Sequence, residues 1–242
     1  MPVLNNARDQ AVQAMFDRIA KRYDLLNRVI SFRLDERWRN QAIRSVLTRS
    51  DPVILDLGAG TGDLTFAAAR ALRGSGRIIG MDFSVQMLQL AQQKKSRARH
   101  GERTVFVAGS ALSSPFRNEV FDGVITAFVL RNVSDLGVFF AHAFRVLKPG
   151  GRFVSLDMFP PAESWFAKLY GLYFYRLVPW IGGLLAQDRG AYKYLSQSVQ
   201  NFHRPEKVAD LIERAGFRDV QVKKFLRGAV CLHVAQKSGQ AP

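Results

Sequence analysis

The residues best placed to do chemistry are the run Asp56-Leu57-Gly58-Ala59-Gly60-Thr61-Gly62-Asp63 and a further acid, Asp82, about twenty positions past the last glycine. Glycines let a backbone turn tightly and let a ligand approach where a Cβ would otherwise stand. The spacing is Gly-x-Gly-x-Gly, whereas dinucleotide sites use Gly-x-Gly-x-x-Gly and seat a pyrophosphate on a helix N-terminus. Carboxylates at Asp56 and Asp63 would repel that anion and suit a ligand carrying an ammonium and a sulfonium. Asp82 can accept from both hydroxyls of a ribose. A glycine loop by itself is most often a plain turn. Loop, following helix and strand-end acid together point to a nucleoside-containing ligand.

Such a site needs a strand before the loop and a helix after it, and the chain supplies them. Val53 to Leu57 reads as a buried strand and Leu64 to Leu72 as a helix. Arg77 to Asp82, Thr104 to Ala108, Gly123 to Phe128 and Arg152 to Asp157 read as further strands. Helices at Val85 to Lys95 and Leu136 to Leu147 lie between them, the second stopped by Lys148-Pro149-Gly150-Gly151. This alternation predicts a mostly parallel sheet with helices on both faces. Two helices, Ala11 to Tyr23 and Asp35 to Leu47, precede it, with an ordered turn expected at Tyr23 to Asn27 and Ile30 to Phe32. Residues 159 to 202 break the rhythm and hold five of the six tyrosines and two of the three tryptophans. A helical insertion is expected there, then a helix from Arg204 to Ala215 and a hairpin of Val220 to Phe225 with Val230 to Gln236. The tail from Lys237 onward is expected to be disordered. One domain is expected, in four blocks: N-terminal helices (1–50), a ligand-binding core (51–158), an aromatic insertion (159–203) and a closing unit (204–242).

The single cysteine, Cys231, among 242 residues excludes an intrachain disulfide framework and suits a reducing cytoplasm. The opening residues lack an apolar leader run, and no stretch is apolar for the length of a spanning helix. The formal charge of +15 favours polyanionic partners, either nucleic acid or an anionic membrane face, though a general arginine bias gives the same sum. Aromatics concentrate at 159–202, where basic residues are sparse. That counts against nucleic acid, whose binding sites interleave the two. No metal is expected, and the sequence leaves a homo-oligomer open.

The loop and Asp82 resemble those of class I S-adenosylmethionine methyltransferases, whose Rossmann-like fold has a seven-stranded, mostly parallel sheet. The Lys148-Pro149-Gly150-Gly151 turn is also similar, although a helix stop explains it physically. The resemblance narrows at Phe16-Asp17-Arg18-Ile19-Ala20-Lys21-Arg22-Tyr23-Asp24-Leu25-Leu26-Asn27, at Leu130-Arg131-Asn132-Val133 and at Tyr192-Lys193-Tyr194-Leu195-Ser196-Gln197-Ser198. These stretches resemble the ubiquinone/menaquinone C-methyltransferase family in the same order, from about Val12 to Ala235. The resemblance implies S-adenosylmethionine as cofactor and a prenylated quinol, of benzoquinone or naphthoquinone type, as methyl acceptor. Carried over by position, Asp56, Gly58, Gly60, Thr61, Gly62, Asp82, Ser110, Ala111 and Ala127 would face the cofactor. Ser110 stands where an asparagine or aspartate is usual, and Ala127 where a serine is common. Residues Phe32 to Trp38 lack the histidine usual there.

Methylating a quinol carbon requires a phenolate to push charge onto the ring, so the protein must position the ring, pass a proton and stabilise an oxyanion. Arg131 is the expected stabiliser, against a structural ion pair as the plainer reading. Asn132 would orient the quinol or a water. Tyr23 and Asp24 would close over the cofactor, unless Tyr23 is a core ring. His203 is a candidate base, against an ordinary loop residue. The aromatic insertion would line a channel for the prenyl tail and touch an anionic membrane, or simply cap the sheet. Another small phenolic or lipid acceptor is the alternative substrate, and a nucleic-acid-binding protein the alternative class.

Overall fold

The structure, a computed structural model, describes residues 7–161, 165–177 and 189–239. In chain order the main elements begin with α1 (Ala7–Ile30), α2 (Leu34–Val46), β1 (Val53–Leu57), α3 (Asp63–Ala71), β2 (Arg77–Asp82) and α4 (Val85–Lys95). Next come β3 (Thr104–Ala108), β4 (Phe121–Ala127), α5 (Leu136–Val146), β5 (Leu147–Met158) and α6 (Trp165–Gly171). The chain closes with α7 (Arg189–Gln200), α8 (Pro205–Arg214), β6 (Phe217–Phe225) and β7 (Val230–Lys237).

The seven strands form one sheet in the order β3-β2-β1-β4-β5-β7-β6. β1 to β5 run parallel, while β7 is antiparallel to both β5 and β6. This is the class I methyltransferase arrangement expected from the sequence. Winding reverses between β1 and β4, so the loops after them part and leave a crevice at their carboxyl ends. Asp82 ends β2 at this edge, and the glycine loop, Ser110 and Arg131 follow strands that end there.

Apolar side chains alternate across the sheet into two layers. Beneath α5 and α8, Phe121, Phe139, Phe140, Phe153 and Phe217 are fully buried. Several of these rings meet edge to face, the favoured aromatic geometry. On the opposite face Trp38, Ile43 and Val46 of α2 pack with Leu64, Ala68 and Ile54. A third cluster joins Met15 and Ile19 of α1 to Tyr170, Phe174 and Ala191 of the insertion, so the aromatic segment packs on the N-terminal helix.

Three expectations need correction. The stretch Tyr23 to Ile30 is helical, because α1 contains no proline or glycine to stop it. The chain turns only at 31–33, where Phe32 and Arg33 take positive φ of 50° and 60°. Second, Lys148 to Gly151 do not separate a helix from a strand. α5 ends at Val146 and these residues lie inside β5, whose register against β4 slips between Phe121 and Gly123. Gly150, at φ 75°, absorbs the irregularity. Third, Lys237 belongs to β7, its ammonium donating to the Leu147 carbonyl at 2.8 Å and to Glu119 at 3.1 Å. The tail beyond 239 lies outside the described residues.

Candidate functional site

The glycine loop is held by β2. Gly58 and Ala59 donate to the Met81 carbonyl at 2.8 and 3.0 Å, and Gly60 donates to Asp82 Oδ2 at 2.8 Å. Asp82 Oδ1 accepts from Ser84 N at 2.8 Å. Each carboxylate oxygen keeps a lone pair for a second donor. Burial, the largest influence, pushes the Asp82 carboxyl up to about 6 despite those two backbone donors. The three loop glycines differ. A Cβ on Gly58 would fall 2.4 Å from Val129 Cγ2, and one on Gly62 would fall 2.7 Å from the Phe66 ring. On Gly60, at φ 55°, it would meet nothing within 4 Å. Gly58 and Gly62 are therefore glycines because protein packs on them. Gly60 leaves its space open for something else to approach.

Between β2, the loop after β3 and the turn after β4 lies a narrow cleft lined by Asp82, Ser110, Ala111, Val129 and Asn132, with Asp9 and Val12 of α1 as its roof. Its free volume is about 60 Å³, small beside the roughly 300 Å³ at which small-molecule sites begin. The roof is pinned at several points. Gln13 Nε2 donates to the Phe83 carbonyl at 2.6 Å, Ser84 Oγ to Asp17 Oδ1 at 2.5 Å, and Ser134 Oγ to Asp9 Oδ2 at 3.1 Å.

Several expected contacts have other employment. Asp56 is fully buried, with Oδ2 accepting from Thr65 Oγ1 at 2.6 Å and Oδ1 unpartnered. It props the first turn of α3 and does not reach the ligand side of the loop. Desolvation pushes its carboxyl up to about 7. The Thr61 hydroxyl donates to Asp24 Oδ1 at 2.5 Å and accepts from Lys94 Nζ at 3.0 Å, leaving one hydroxyl lone pair and its backbone for a ligand. Lys94, which the sequence did not single out, also pairs with Asp24 and reaches Asp63 at 2.9 Å. Asp63 therefore already shares the Lys94 cation with Asp24, and Arg28 approaches it at 4.0 Å. Ala127 packs on the layer under α2 and α3. Tyr23 meets Phe16 edge to face at 5.9 Å within the aromatic cluster; its neighbour Asp24 is the residue that reaches the loop.

The turn after β4 separates the two residues expected to act together. Asn132 faces the narrow cleft, its amide donating to the Phe128 carbonyl at 3.3 Å. Arg131 faces the other way, into an apolar cavity of about 330 Å³ lined chiefly by Trp38, Phe128, Met158, Tyr170 and Phe174. Its Nη1 donates to Asp157 Oδ1 at 2.6 Å, and both groups are buried. Asp157 also accepts from Leu130 N and Met158 N, each at 2.7 Å. Arg131 Nε has no partner. Its guanidinium lies 5.9 Å from the centroid of Phe128, a residue held at φ 64°. A left-handed phenylalanine costs on the order of 1 kcal/mol, and such strain collects at functional sites. Phe128 and Asp157 carried no sequence signal beyond their neighbourhood. His203 is exposed on a separate groove of about 530 Å³ that touches the opposite side of Arg131, near Tyr194. It does not line the apolar cavity.

The two raised carboxyls have a consequence for stability. A carboxyl whose folded pKa exceeds its unfolded value favours folding below the unfolded pKa and loses that advantage as pH rises through the folded one. With Asp56 at about 7 against an ordinary 3.8, the ligand-free protein should lose stability between about pH 4 and 7. Asp56→Asn should flatten that decline, gaining roughly 2–4 kcal/mol relative to wild type at pH 8. Urea melts across that range check it; parallel pH profiles would show that Asp56 does not titrate there.

The ubiE/COQ5 methyltransferase family matches residues 4–237. The demethylmenaquinone methyltransferase of Thermus thermophilus is 40% identical over 223 residues, covering 92% of this chain and 100% of its own. That of Lactiplantibacillus plantarum is 36% identical over 229 residues, covering 95% and 97%. Among solved structures, the cyclase SpnF superposes with a TM-score of 0.70 at 15% identity, over 99% of this chain and 98% of its own. Human N-acetylserotonin methyltransferase in complex with S-adenosylmethionine superposes at 0.58 and 21% identity, over 83% and 51%. At such identities the superpositions speak for the fold alone.

Proposed function

This chain belongs to the ubiE/COQ5 methyltransferase family, and from that premise we propose that it methylates a ring carbon of a prenylated quinol, either demethylmenaquinol or the equivalent benzoquinol. The observation that carries the reading is the apolar cavity with one guanidinium in its wall, beside the crevice at the strand ends. A quinol is an aromatic ring with two hydroxyls on a hydrocarbon tail. Aromatic walls suit the ring and tail, and a cation suits the oxygen that becomes negative.

The cofactor is S-adenosylmethionine, and the residues at the crevice fit it: open space at Gly60, acceptors at Asp82 and hydrogen-bonding groups at Ser110 and Asn132. When bound it supplies an electrophilic methyl on a sulfonium. In this reading Asp82 holds the ribose and Ser110, Ala111 and Asn132 border the adenosine end. Phe128 and Trp38, among the rings that line the cavity, would contact the quinol ring. Arg131, locked by Asp157, offers its free Nε–H to the ring oxygen as the proton leaves. The dry walls exclude water from the reacting carbon.

The test is a labelled-methyl assay with paired demethyl-naphthoquinol and demethyl-benzoquinol. Label should appear on ring carbon, faster with the naphthoquinol. Transfer only to unrelated phenols or lipids would overturn the assignment. For the cofactor half of the site, Asp82→Asn should weaken S-adenosylmethionine binding by about 1–3 kcal/mol. Because the Asp82 carboxyl sits at about 6, wild-type affinity should fall as pH drops below about 6. The asparagine variant should lack that dependence. Calorimetry at several pH values decides; unchanged affinity in the variant would remove Asp82 from the ribose.

A further inference from the structure

The mouth of the apolar cavity is built unlike the rest of the surface, and we propose that it is a docking face for an anionic lipid bilayer. The proposal rests on the quinol reading for its purpose but on independent observations for its location. Two turn tips flank the mouth. One is Phe32-Arg33 between α1 and α2, with φ of 50° and 60°; the other is Leu226-Arg227 between β6 and β7, with φ of 44° and 53°. Each tip is an apolar residue followed by arginine, held left-handed at a cost on the order of 1 kcal/mol per residue. Phe32 is 72% exposed and Leu226 40%.

The apolar surface continues outward from both tips. On α1, Leu25 and Val29 stand four positions apart on one helical face, and both are exposed. On the insertion, Trp165 and Leu172 are 63% and 57% exposed. The parts are contiguous: Phe32 stacks on Tyr173 at 5.6 Å, and the Arg227 guanidinium lies 5.3 Å from the Trp165 ring centroid. Arg33 and Arg227 border the patch, Arg33 paired with Glu36 and Arg227 over the Trp165 ring, while Asp35, behind the first tip, is paired with Arg39.

Charge selects the occupant. A second copy of this chain would set arginines against arginines. Nucleic acid would offer phosphates but nowhere to bury leucines. A bilayer with anionic headgroups takes both, with leucine, phenylalanine and tryptophan at the acyl boundary and arginines among the headgroups. The cavity mouth then opens onto the hydrocarbon from which a prenylated substrate would come. Among the described residues no helix is long and apolar enough to cross a membrane, so the contact is peripheral.

The experiment is flotation of the full chain, without quinol, on phosphatidylcholine vesicles with and without about 30% phosphatidylglycerol. Wild type should float with the anionic vesicles and far less with the neutral ones. Leu25→Ser/Leu172→Ser and, separately, Arg227→Glu should each cut partitioning at least about tenfold. None of these three residues lines the cavity or the cleft, so turnover of a tail-truncated quinol in solution should match wild type. That second assay keeps the two readings apart: it can fail while flotation succeeds, and the reverse. Wild type that stays unbound, or variants that float equally well, would overturn the docking face. So would a variant whose only change is its oligomeric state in sedimentation.

Discussion

Gly60→Val should show no measurable S-adenosylmethionine binding in calorimetry, a loss of at least about a hundredfold, while remaining folded. Its Cβ meets no protein atom within 4 Å, so the fold loses only the cost of placing a branched residue at φ 55°, about 1–3 kcal/mol. Gly58→Val is the contrasting variant. There the new side chain collides with Val129, so melting temperature and cofactor affinity should fall together. The pair separates a glycine that makes room for a ligand from one that makes room for protein. Normal cofactor affinity in folded Gly60→Val would mean that the ligand approaches from another side.

Arg131→Ala should lower kcat about a hundredfold at saturating quinol with little change in cofactor affinity, as expected for a donor used mainly in the transition state. The structure adds a complication. Removing the guanidinium strands Asp157, a fully buried carboxylate, and breaking a buried pair from one side costs about 3–5 kcal/mol. Arg131→Lys is the cleaner variant, because it keeps a cation for Asp157 but cannot also present a fixed second donor to the ring oxygen. It should stay near wild type in urea melts and still lose at least about tenfold in kcat. Asp157→Asn should behave as a positioning variant, with kcat reduced, KM little changed and stability lowered. Full turnover by Arg131→Lys would make Arg131 structural.

The cofactor half was readable because it is local. The strand, the three glycines and Asp82 lie within 30 residues, and bounds such as Arg77 to Asp82 are marked by flanking glycine and serine. The partners that redirect side chains are remote. Lys94 takes Asp24 from 70 positions away, and Asp157 takes Arg131 from 26. Periodicity cannot reveal such pairs, so Thr61 and Asp63 looked free when they were engaged. Carrying roles over by position also joined Arg131 to Asn132, which the tight turn after β4 points into different cavities. The end of α1 was missed for a local reason: Tyr-Asp-Leu-Leu-Asn carries turn-favouring residues but no breaker.

The pinned roof over the narrow cleft bears on the clock of the catalytic cycle. The cleft's free volume of about 60 Å³ is too small for a nucleoside, so a cofactor seated there would need its lining to shift, and the start of α1, with Asp9 and Val12, is part of that lining. The bonds from Gln13, Asp17 and Asp9 to the cleft edge then act as a latch whose opening frequency limits exchange. Residence time would be long on both sides of the methyl transfer, and the first turnover would outrun those that follow.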